Sequence, residues 1–286
     1  MERNKYEQIK LMDNIAEIFD LTSRTALISG GAGKMGQQFA AILSSAGCNV
    51  AITDINGDYC AEVAEKLSKN SRGKVIGFKA DFYEEQEVVD VFAAARKELG
   101  LIDIFIHNVM PKPENYYAKL EDYKMETWNR VVGASLAGAF LGAREAAKDM
   151  KTKGAGSIVF TASTYGVVGP DQRIYKDCSA KNNIYGAKEA LNQPACYSTS
   201  KGGLISLARH LASSWGKDGI RVNCLTPGGV FDGQEEAFHK AYNERTPLDR
   251  MAVWTDYNGA ILFLASDASR YMTGANLVVD GGWTAW

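Results

Sequence analysis

Tyr197 and Lys201 are two side chains that can share a proton, because residues four apart on a helix lie side by side. A free phenol ionises at about pH 10, which is too high for a base at neutral pH. A fixed cation nearby favours the phenolate and lowers this pKa, so a tyrosine in this position can exchange a proton. The spacing alone is weak, since 13 tyrosines give about one accidental match, and Tyr6 with Lys10 is such a pair. The surrounding elements therefore decide its meaning.

A glycine-rich turn is the second motif that points to chemistry. Glycines at positions 30, 31, 33 and 36 follow a strand-length apolar run and open a helical segment. Small residues there let the backbone approach a pyrophosphate, and the helix N-terminus stabilises its negative charge. Because many unrelated loops match the GxGxxG pattern, an ordinary turn is the alternative. The predicted dinucleotide contacts are Gly30, Gly33, Lys34, Met35 and Gly36.

The choice between NAD and NADP depends on Asp54, which closes the second predicted strand 18 residues after Gly36. A carboxylate at that distance can bind both adenosine ribose hydroxyls and repel a 2′-phosphate, which favours NAD. Lys34 points the other way, because a cation beside the phosphates can also serve NADP. NAD is the predicted cofactor, and NADP is the alternative.

Composition excludes several classes of partner. The chain has 286 residues, 46% of them apolar, which suits a globular protein with a buried core. Its net charge of −2 gives no general attraction to nucleic acid or an anionic membrane. Five cysteines form no CxxC pair and three histidines show no zinc spacing, so we predict reduced thiols and no metal. With no run near the roughly 20 apolar residues of a membrane span, we predict a cytoplasmic protein.

Apolar runs of strand length alternate with helix-period segments along the chain. The predicted strands are Thr25–Ser29, Asn49–Thr53, Val75–Ala80, Ile102–His107, Ser157–Thr161, Arg221–Leu225 and Asn276–Val279. This alternation predicts an α/β fold, namely a single doubly wound Rossmann domain with a parallel sheet of about seven strands and helices on both faces. The domain is predicted to span residues 21–286, after an N-terminal helical extension over residues 1–20 with helically spaced apolar residues.

Taken in this order, the motifs of residues 21–286 resemble those of the short-chain dehydrogenase/reductase family. That family combines a Gly-rich turn, an Asn-containing turn after the fourth strand, a Ser and a YxxxK pair. The resemblance implies that Ser163 holds the substrate oxygen, that Tyr197 exchanges its proton, and that Lys201 also binds the nicotinamide ribose. Both Tyr197 and Lys201 would then contact the cofactor. The other cofactor contacts it implies are Asp81, Phe82, Asn108, Pro227, Gly228 and Val230.

The chain departs from the family pattern at several positions. Its glycine spacing looks more like the extended, nucleotide-sugar branch than the TGxxxGxG usual at this length. Where the family's long helix commonly carries an Asn for a proton-relay water, this chain has Ser135, which is the predicted relay residue. His107 stands where the family usually has the first Asn of Asn-Asn-Ala-Gly, and we interpret it as a packing or adenosine-side variant.

A long polar insertion lies between Ser163 and Tyr197, which are 34 positions apart. It covers residues 170–195 approximately and begins and ends beside catalytic residues, at the edge of the sheet where ligands bind. We predict that it forms a wall for a hydroxylated or anionic substrate; a solvated surface loop or a subunit contact is the alternative. The predicted substrate contacts are Arg173, Tyr175 and Lys181.

A second cover over the substrate is predicted from the segment 230–243, which follows Pro227. Its aromatic residues Phe231, Phe238 and Tyr242 would form the apolar side of a lid, and a place in the core is the alternative.

Together these motifs predict an NAD(P)-dependent oxidoreductase that interconverts a secondary alcohol and a ketone by Tyr-assisted hydride transfer. Residues 163–175 and 242–251 are similar to flagellin-modification and sugar-acid oxidoreductases, which implies a sugar-like or sugar-acid substrate. Two alternatives are a cofactor-retaining sugar epimerase or dehydratase and a non-catalytic dinucleotide-binding subunit. The resemblance also implies a homo-oligomer, either a tetramer or a dimer.

Overall fold

A seven-stranded parallel sheet forms the centre of the computed structural model, which describes residues 14–176, 178 and 191–286. The strand order is β3-β2-β1-β4-β5-β6-β7, and each pair of neighbours is parallel. The strands are β1 Thr25–Ser29, β2 Asn49–Asp54, β3 Val75–Lys79, β4 Ile104–His107, β5 Gly156–Thr161, β6 Ile220–Pro227 and β7 Asn276–Val279. This sheet confirms the predicted doubly wound α/β fold.

Helices cover both faces of the sheet, because successive residues of a buried strand point to opposite sides. The helices are α1 Ile15–Phe19, α2 Lys34–Ser45, α3 Gly57–Ser68, α4 Glu85–Leu99, α5 Met125–Val132, α6 Gly138–Lys153, α7 Ala195–Trp215, α8 Glu236–Asn243 and α9 Asn258–Ala265. Leu27 and Phe105 pack with α4, α6 and α7 on one face. Ile28 and Ile104 pack with α2, α3 and α9 on the other.

The long helix expected over Thr127–Met150 is divided in the structure. A π-helical turn, Gly133–Ala137, separates α5 from α6. Such a turn holds one extra residue, which widens the helix locally and frequently marks a functional site. Gly138 follows it against the backbone of Phe82, where a Cβ would lie 2.5 Å from the Phe82 carbonyl oxygen. The hydrophobic periodicity of the sequence does not reveal this extra residue.

The strand order reverses between β1 and β4, and a crevice opens there at the carboxyl edge of the sheet. Gly30 directly follows β1 with φ of 64°, a left-handed conformation that favours glycine. Asn108 directly follows β4, and its Nδ2 donates to the Gly30 carbonyl oxygen at 3.3 Å. The Gly-rich turn and the Asn108 turn therefore lie side by side.

The first part of the predicted N-terminal extension, residues 1–13, lies outside the described residues. In the part that is described, α1 is capped by Asn14, whose side chain accepts from the backbone N–H of Ala16 at 3.0 Å. Within residues 14–176, 178 and 191–286, no helix combines the length and the apolar character needed to span a membrane.

We expect Gly36→Ala to lower the free energy of unfolding by about 1–3 kcal/mol, because a Cβ there would overlap the carbonyl oxygen of Gly30. Gly33→Ala is the matched control, since its Cβ would lie 3.3 Å from the same oxygen and needs only a small adjustment. Chemical denaturation of both variants measures the difference. Equal losses in the two variants would contradict the tight packing of α2 on the turn.

Candidate active site

Tyr197 and Lys201 lie in the first two turns of α7, which begins directly after Pro194. The Lys201 side chain is buried, with 4% of the residue exposed, and its Nζ donates to the carbonyl oxygen of Thr161 at 2.6 Å. The same Nζ lies 5.8 Å from the centre of the Tyr197 ring. The helix thus places the ammonium group beside the phenol, as the spacing predicts.

Burial makes Lys201 an unusual cation. Removal from water lowers the pKa of Lys201 to about 8, while the nearby Cys224 thiol acts in the opposite direction. A lysine with this pKa can gain or lose its proton close to neutral pH. Because the ammonium group lies so close to the Tyr197 ring, its positive charge favours the phenolate over the phenol.

Ser163 reaches the same place from the sheet. It stands two residues after the end of β5, is 5% exposed, and accepts a hydrogen bond at Oγ from the backbone N–H of Tyr165 at 3.2 Å. That bond leaves the hydroxyl hydrogen able to donate. Ser163, Tyr197 and Lys201 all line one cleft at the carboxyl edge of the sheet.

The cleft has a volume of about 470 Å³ and runs from the Gly-rich turn to α8. Several residues predicted as cofactor contacts line it, namely Gly33, Lys34, Met35, Asn108, Pro227, Gly228 and Val230. Gly228 is held by two hydrogen bonds: its N–H donates to Val279 at 3.0 Å, and its carbonyl accepts from the Tyr257 hydroxyl at 2.9 Å. The far end of the cleft is mainly aromatic, with Tyr117, Tyr165, Tyr175, Phe238 and Tyr242.

The residues at the Gly-rich end fit a dinucleotide. Gly33 is the N-cap of α2, and no side chain caps this helix terminus. Its first backbone N–H groups have no partners in the helix, and the helix dipole adds partial positive charge. A pyrophosphate supplies the acceptors that such a terminus lacks.

Five predicted cofactor residues lie outside the walls of this cleft, namely Gly30, Gly36, Asp54, Asp81 and Phe82. Gly30 and Gly36 lie within the Gly-rich turn, where they contact each other. Phe82 is buried in the core and stacks on Phe105 at 6.2 Å, so its side chain is not available to a ligand. Asp81 binds Arg130 at 2.5 Å.

Asp54 is also outside these walls, at the end of β2, where it accepts from the backbone N–H of Asn56 at 3.4 Å. Burial raises the pKa of the Asp54 carboxyl, and hydrogen bonds from Asn56 and Ile55 act against this effect. The position of the carboxyl at the strand end is the one expected of a ribose-binding acid.

Ser135 lies at the centre of the π turn and is fully buried. Its Oγ donates to the sulfur of Met110 at 3.6 Å, and Met110 lines the cleft whereas Ser135 does not. The structure therefore separates the predicted relay hydroxyl from the cleft by one side chain. Ser135, which stands at the position of the Asn in the family pattern, does not line the cleft.

Of the three substrate contacts predicted in the insertion, one lines the cleft, one does not, and one lies outside the described residues. Arg173 does not line it: its side chain is 82% exposed and binds Asp171, which also accepts from Arg245 at 2.7 Å. Arg173 beside it holds the pKa of Asp171 well below its usual range. Tyr175 does line the cleft. Lys181 lies outside the described residues.

Two glutamines join the ends of the insertion. The Gln172 side chain donates to the backbone carbonyl of Gln193 at 2.9 Å and accepts from the Gln193 backbone N–H at 3.0 Å. Next to this closure the Tyr175 hydroxyl donates to Gln193 Oε1 at 3.2 Å, and Asn192 Nδ2 donates to the Tyr117 carbonyl at 2.5 Å. Asn192 and Gln193 line the cleft, and our sequence analysis did not select either of them.

Three charged residues of the cleft, Lys112, Asp232 and Glu235, were not predicted from the sequence. Lys34 of the Gly-rich turn forms an ion pair with Asp232, which follows β6. Solvent reaches Lys112 through the cleft, yet the protein atoms around it lower its pKa to about 8, and the Asp232 charge opposes this effect. Lys112 follows Asn108 by four residues, so its place after a strand end is the signal that could have identified it.

The predicted lid segment contains α8. Phe238 and Tyr242 of this helix are buried and line the cleft, whereas Phe231 is largely exposed and packs on His239 at 4.8 Å. Tyr242 stacks on Trp283 at 4.3 Å, which attaches the helix to the C-terminal segment. Two of the three aromatic residues thus cover the site.

Comparison with known proteins identifies relatives along nearly the whole chain. The sequence model of the family described as short chain dehydrogenase matches residues 24–238. Sorbose reductase of Schizosaccharomyces pombe is 30% identical over 275 residues, covering 94% of this chain and 99% of that protein. D-threitol dehydrogenase of Mycolicibacterium smegmatis is 30% identical over 274 residues, covering 93% and 95%.

Solved structures agree with these sequence matches. A gluconate 5-dehydrogenase from Burkholderia cenocepacia, in complex with NADP and tartrate, superimposes with a TM-score of 0.80 at 26% identity, covering 96% of this chain and 100% of that chain. An NADPH-dependent 3-quinuclidinone reductase from Rhodotorula rubra gives 0.82 at 26% identity, covering 98% of each chain. The chain therefore belongs to the short-chain dehydrogenase/reductase family of NAD(P)-dependent oxidoreductases.

Proposed function

We propose that this oxidoreductase interconverts a secondary alcohol and a ketone on a small, neutral, polyhydroxylated substrate, with Ser163, Tyr197 and Lys201 as its catalytic residues. The observation that carries the proposal is their convergence in one cleft, which has an uncapped helix N-terminus at one end and an aromatic wall at the other. A bound nicotinamide supplies or accepts the hydride. Side chains of the protein hold the substrate and exchange the proton.

Ser163 and Tyr197 hold the substrate oxygen in this proposal. The Ser163 hydroxyl donates to that oxygen, since its own Oγ already accepts from Tyr165. Tyr197 exchanges a proton with it at Oη: the phenol donates when a ketone is reduced, and the phenolate accepts when an alcohol is oxidised. Lys201 favours the phenolate by its charge, from a position fixed by its hydrogen bond to Thr161.

The insertion supports a neutral, hydroxylated substrate. Those of its described residues that line the cleft carry no charge, and Tyr175, Asn192 and Gln193 supply a phenol and two amides. Such groups exchange hydrogen bonds with hydroxyl groups without requiring an opposite charge. Arg173, one of the cations of the insertion, binds Asp171 and does not line the cleft. The names of the sorbose reductase and the D-threitol dehydrogenase agree with this class.

NAD is the cofactor we propose for this chain. Support comes from Asp54, whose carboxyl at the end of β2 would repel the 2′-phosphate of NADP. Lys34 is a weaker argument for NADP because its ammonium group is already paired with Asp232.

We further propose a cytoplasmic homo-oligomer, a tetramer or a dimer. The five cysteines are free thiols, as a reducing compartment allows. Phe140 is 44% exposed on α6, which is the kind of apolar surface that a second copy covers.

We expect Tyr197→Phe to lower kcat by at least about 1,000-fold, because the substrate oxygen loses its proton donor and acceptor. In the unaltered enzyme the rate of alcohol oxidation should rise with pH, because oxidation needs the Tyr197 phenolate to accept the proton. Ketone reduction should fall as the pH rises, because it needs the phenol to donate the proton. Tyr271→Phe is the control, because that side chain is fully exposed. NADH absorbance in an assay with sugars and polyols follows both reactions.

Undiminished turnover in Tyr197→Phe would rule out its proposed role. Turnover of a sugar without net NADH change would instead indicate an epimerase or dehydratase.

We expect Asp54→Ala to raise the ratio of kcat/KM for NADP to that for NAD by at least about tenfold, because the repulsion of the 2′-phosphate is removed. Asp58→Ala, an exposed carboxyl in the first turn of α3, should leave the ratio unchanged. Initial rates with each cofactor at one substrate concentration give the comparison. An unaltered preference in Asp54→Ala would exclude this carboxyl as the selector.

We expect Gln193→Leu to raise KM for a polyol by about five- to tenfold, because a hydrogen-bonding amide is lost from the wall. The Gln172 side chain binds only backbone atoms of Gln193, so the closure of the insertion is retained. KM for a ketone without hydroxyl groups should not change. Arg173→Ala is the control and should leave both values unchanged. A larger effect of Arg173→Ala on the polyol than of Gln193→Leu would contradict the proposed wall.

A further inference from the structure

His107 is a buried ionisable group that the proposed mechanism does not use. It is the last residue of β4, is 1% exposed and does not line the cleft. Its ring packs against both Phe82, at 5.6 Å, and Phe105, at 6.1 Å. An imidazole in such an apolar place needs partners for both nitrogen atoms.

Both ring nitrogens have partners, and their chemistry determines the tautomer. Nε2 lies 3.0 Å from the backbone carbonyl oxygen of Ser135, which only accepts, so Nε2 carries the hydrogen. Nδ1 lies 2.8 Å from Ser29 Oγ and must accept from that hydroxyl. Burial, together with the charge of Lys201, lowers the pKa of His107 to about 3. The ring is thus a neutral, directional bridge at every pH at which the enzyme would be assayed.

The bridge connects the parts that carry the site. Ser29 is the last residue of β1 and directly precedes the Gly-rich turn. Ser135 is the central residue of the π turn, and the next residue, Leu136, packs against Gly203 of α7. The approach is close, because a Cβ at Gly203 would lie 2.8 Å from Leu136 Cδ2. Gly203 follows Lys201 by two residues, so this contact joins the π turn to the catalytic helix close to Lys201.

The position of the Lys201 charge affects how readily Tyr197 ionises. Among the described residues, the titratable groups that interact with Lys201 or Tyr197 include His107, Cys224, Tyr116, Tyr165, Tyr175 and Tyr242. Burial shifts the pKa of each of them in the direction that keeps it neutral at pH 7; that of Cys224 and that of Tyr242 rise to about 12. The Lys201 ammonium group therefore acts on Tyr197 among neutral neighbours of this set.

We infer that His107 is a positioning residue, which holds the π turn against α7 and so sets the distance between the Lys201 ammonium group and the Tyr197 phenol. The inference rests on the proposed roles of Tyr197 and Lys201. It assigns no contact between His107 and the substrate or the cofactor. The hydrogen bond to the Ser135 carbonyl is the part of the bridge that restrains the turn.

The test is the pH profile of alcohol oxidation by the full-length enzyme. We expect His107→Phe, which keeps an aromatic ring and loses both hydrogen bonds, to lower kcat by about 10- to 100-fold. It should also move the midpoint of the profile upward by at least about 0.5 pH units, because a displaced cation stabilises the phenolate less. His107→Gln retains a donor near the position of Nε2 and should restore most of both values.

Two further variants separate positioning from a general loss of stability. Ser29→Ala removes the hydrogen bond to Nδ1, and a long contact of 3.5 Å to the Ile106 carbonyl oxygen, and should move the midpoint in the same direction by a smaller amount. His210→Asn, on the exposed side of α7, is the matched histidine control and should leave kcat and midpoint unchanged. If His107→Phe does not fold, His107→Gln and Ser29→Ala still measure the shift.

An unshifted midpoint in His107→Phe would overturn the inference. If that variant does not fold, an unshifted midpoint in Ser29→Ala would do so. Equal kcat values for His107→Phe and His107→Gln would also overturn it. The result remains distinct from a failure of the proposed function. If Tyr197→Phe is inactive while the His107 variants behave like the unaltered enzyme, only the positioning role is wrong. If Tyr197→Phe retains full activity, the proposed function itself is wrong.

Discussion

Burial of the Lys201 ammonium group is the constraint on which the rest of the site depends. A cation withdrawn from water is stable only where hydrogen-bond acceptors or favourable charges surround it. The carboxyl end of β5 supplies such an acceptor in the carbonyl oxygen of Thr161. The helix that carries Lys201 must therefore lie against that edge of the sheet, and Tyr197, one turn earlier, is brought to the mouth of the cleft with it.

The cleft is formed partly by the strand ends of the sheet and partly by the insertion and α8. The strand ends provide Asn108, Ser163 and Gly228, whose backbones are fixed by the parallel ladder and by close packing with neighbouring turns. The substrate side is formed by the insertion and by α8, which pack on each other through Tyr175 and Phe238 at 5.3 Å. A rigid frame that carries variable covering segments explains how one family accommodates many substrates.

Local patterns predicted much of this arrangement. β1 coincides with the predicted Thr25–Ser29, because a fully buried parallel strand is a continuous apolar run that composition reveals. The Gly-rich turn and the Tyr197–Lys201 pair are also local patterns, and their places among the predicted strands and helices distinguish them from accidental matches. Ser163 was recognised only through the resemblance to a family, because a lone serine after a strand carries no signal of its own.

The features that the sequence did not reveal depend on residues far apart in the chain. Arg173 faces away from the cleft because Asp171 binds it together with Arg245, which is 74 residues distant from Asp171. The π turn lies inside a helical pattern whose periodicity tolerates one additional residue. The positioning role inferred for His107 depends on hydrogen-bond partners on two other elements, and no property of position 107 by itself indicates these partners.

The pairing of Gln172 with the backbone of Gln193 has an evolutionary consequence. It joins two points that are 21 residues apart, and Tyr175, Asn192 and Gln193, which line the cleft, stand beside these joined ends. The chain between the glutamines can then be lengthened, shortened or replaced at a small entropic cost, because the free energy of loop closure varies only slowly with loop length. Selection can thus vary the length and sequence of this excursion without separating its two ends.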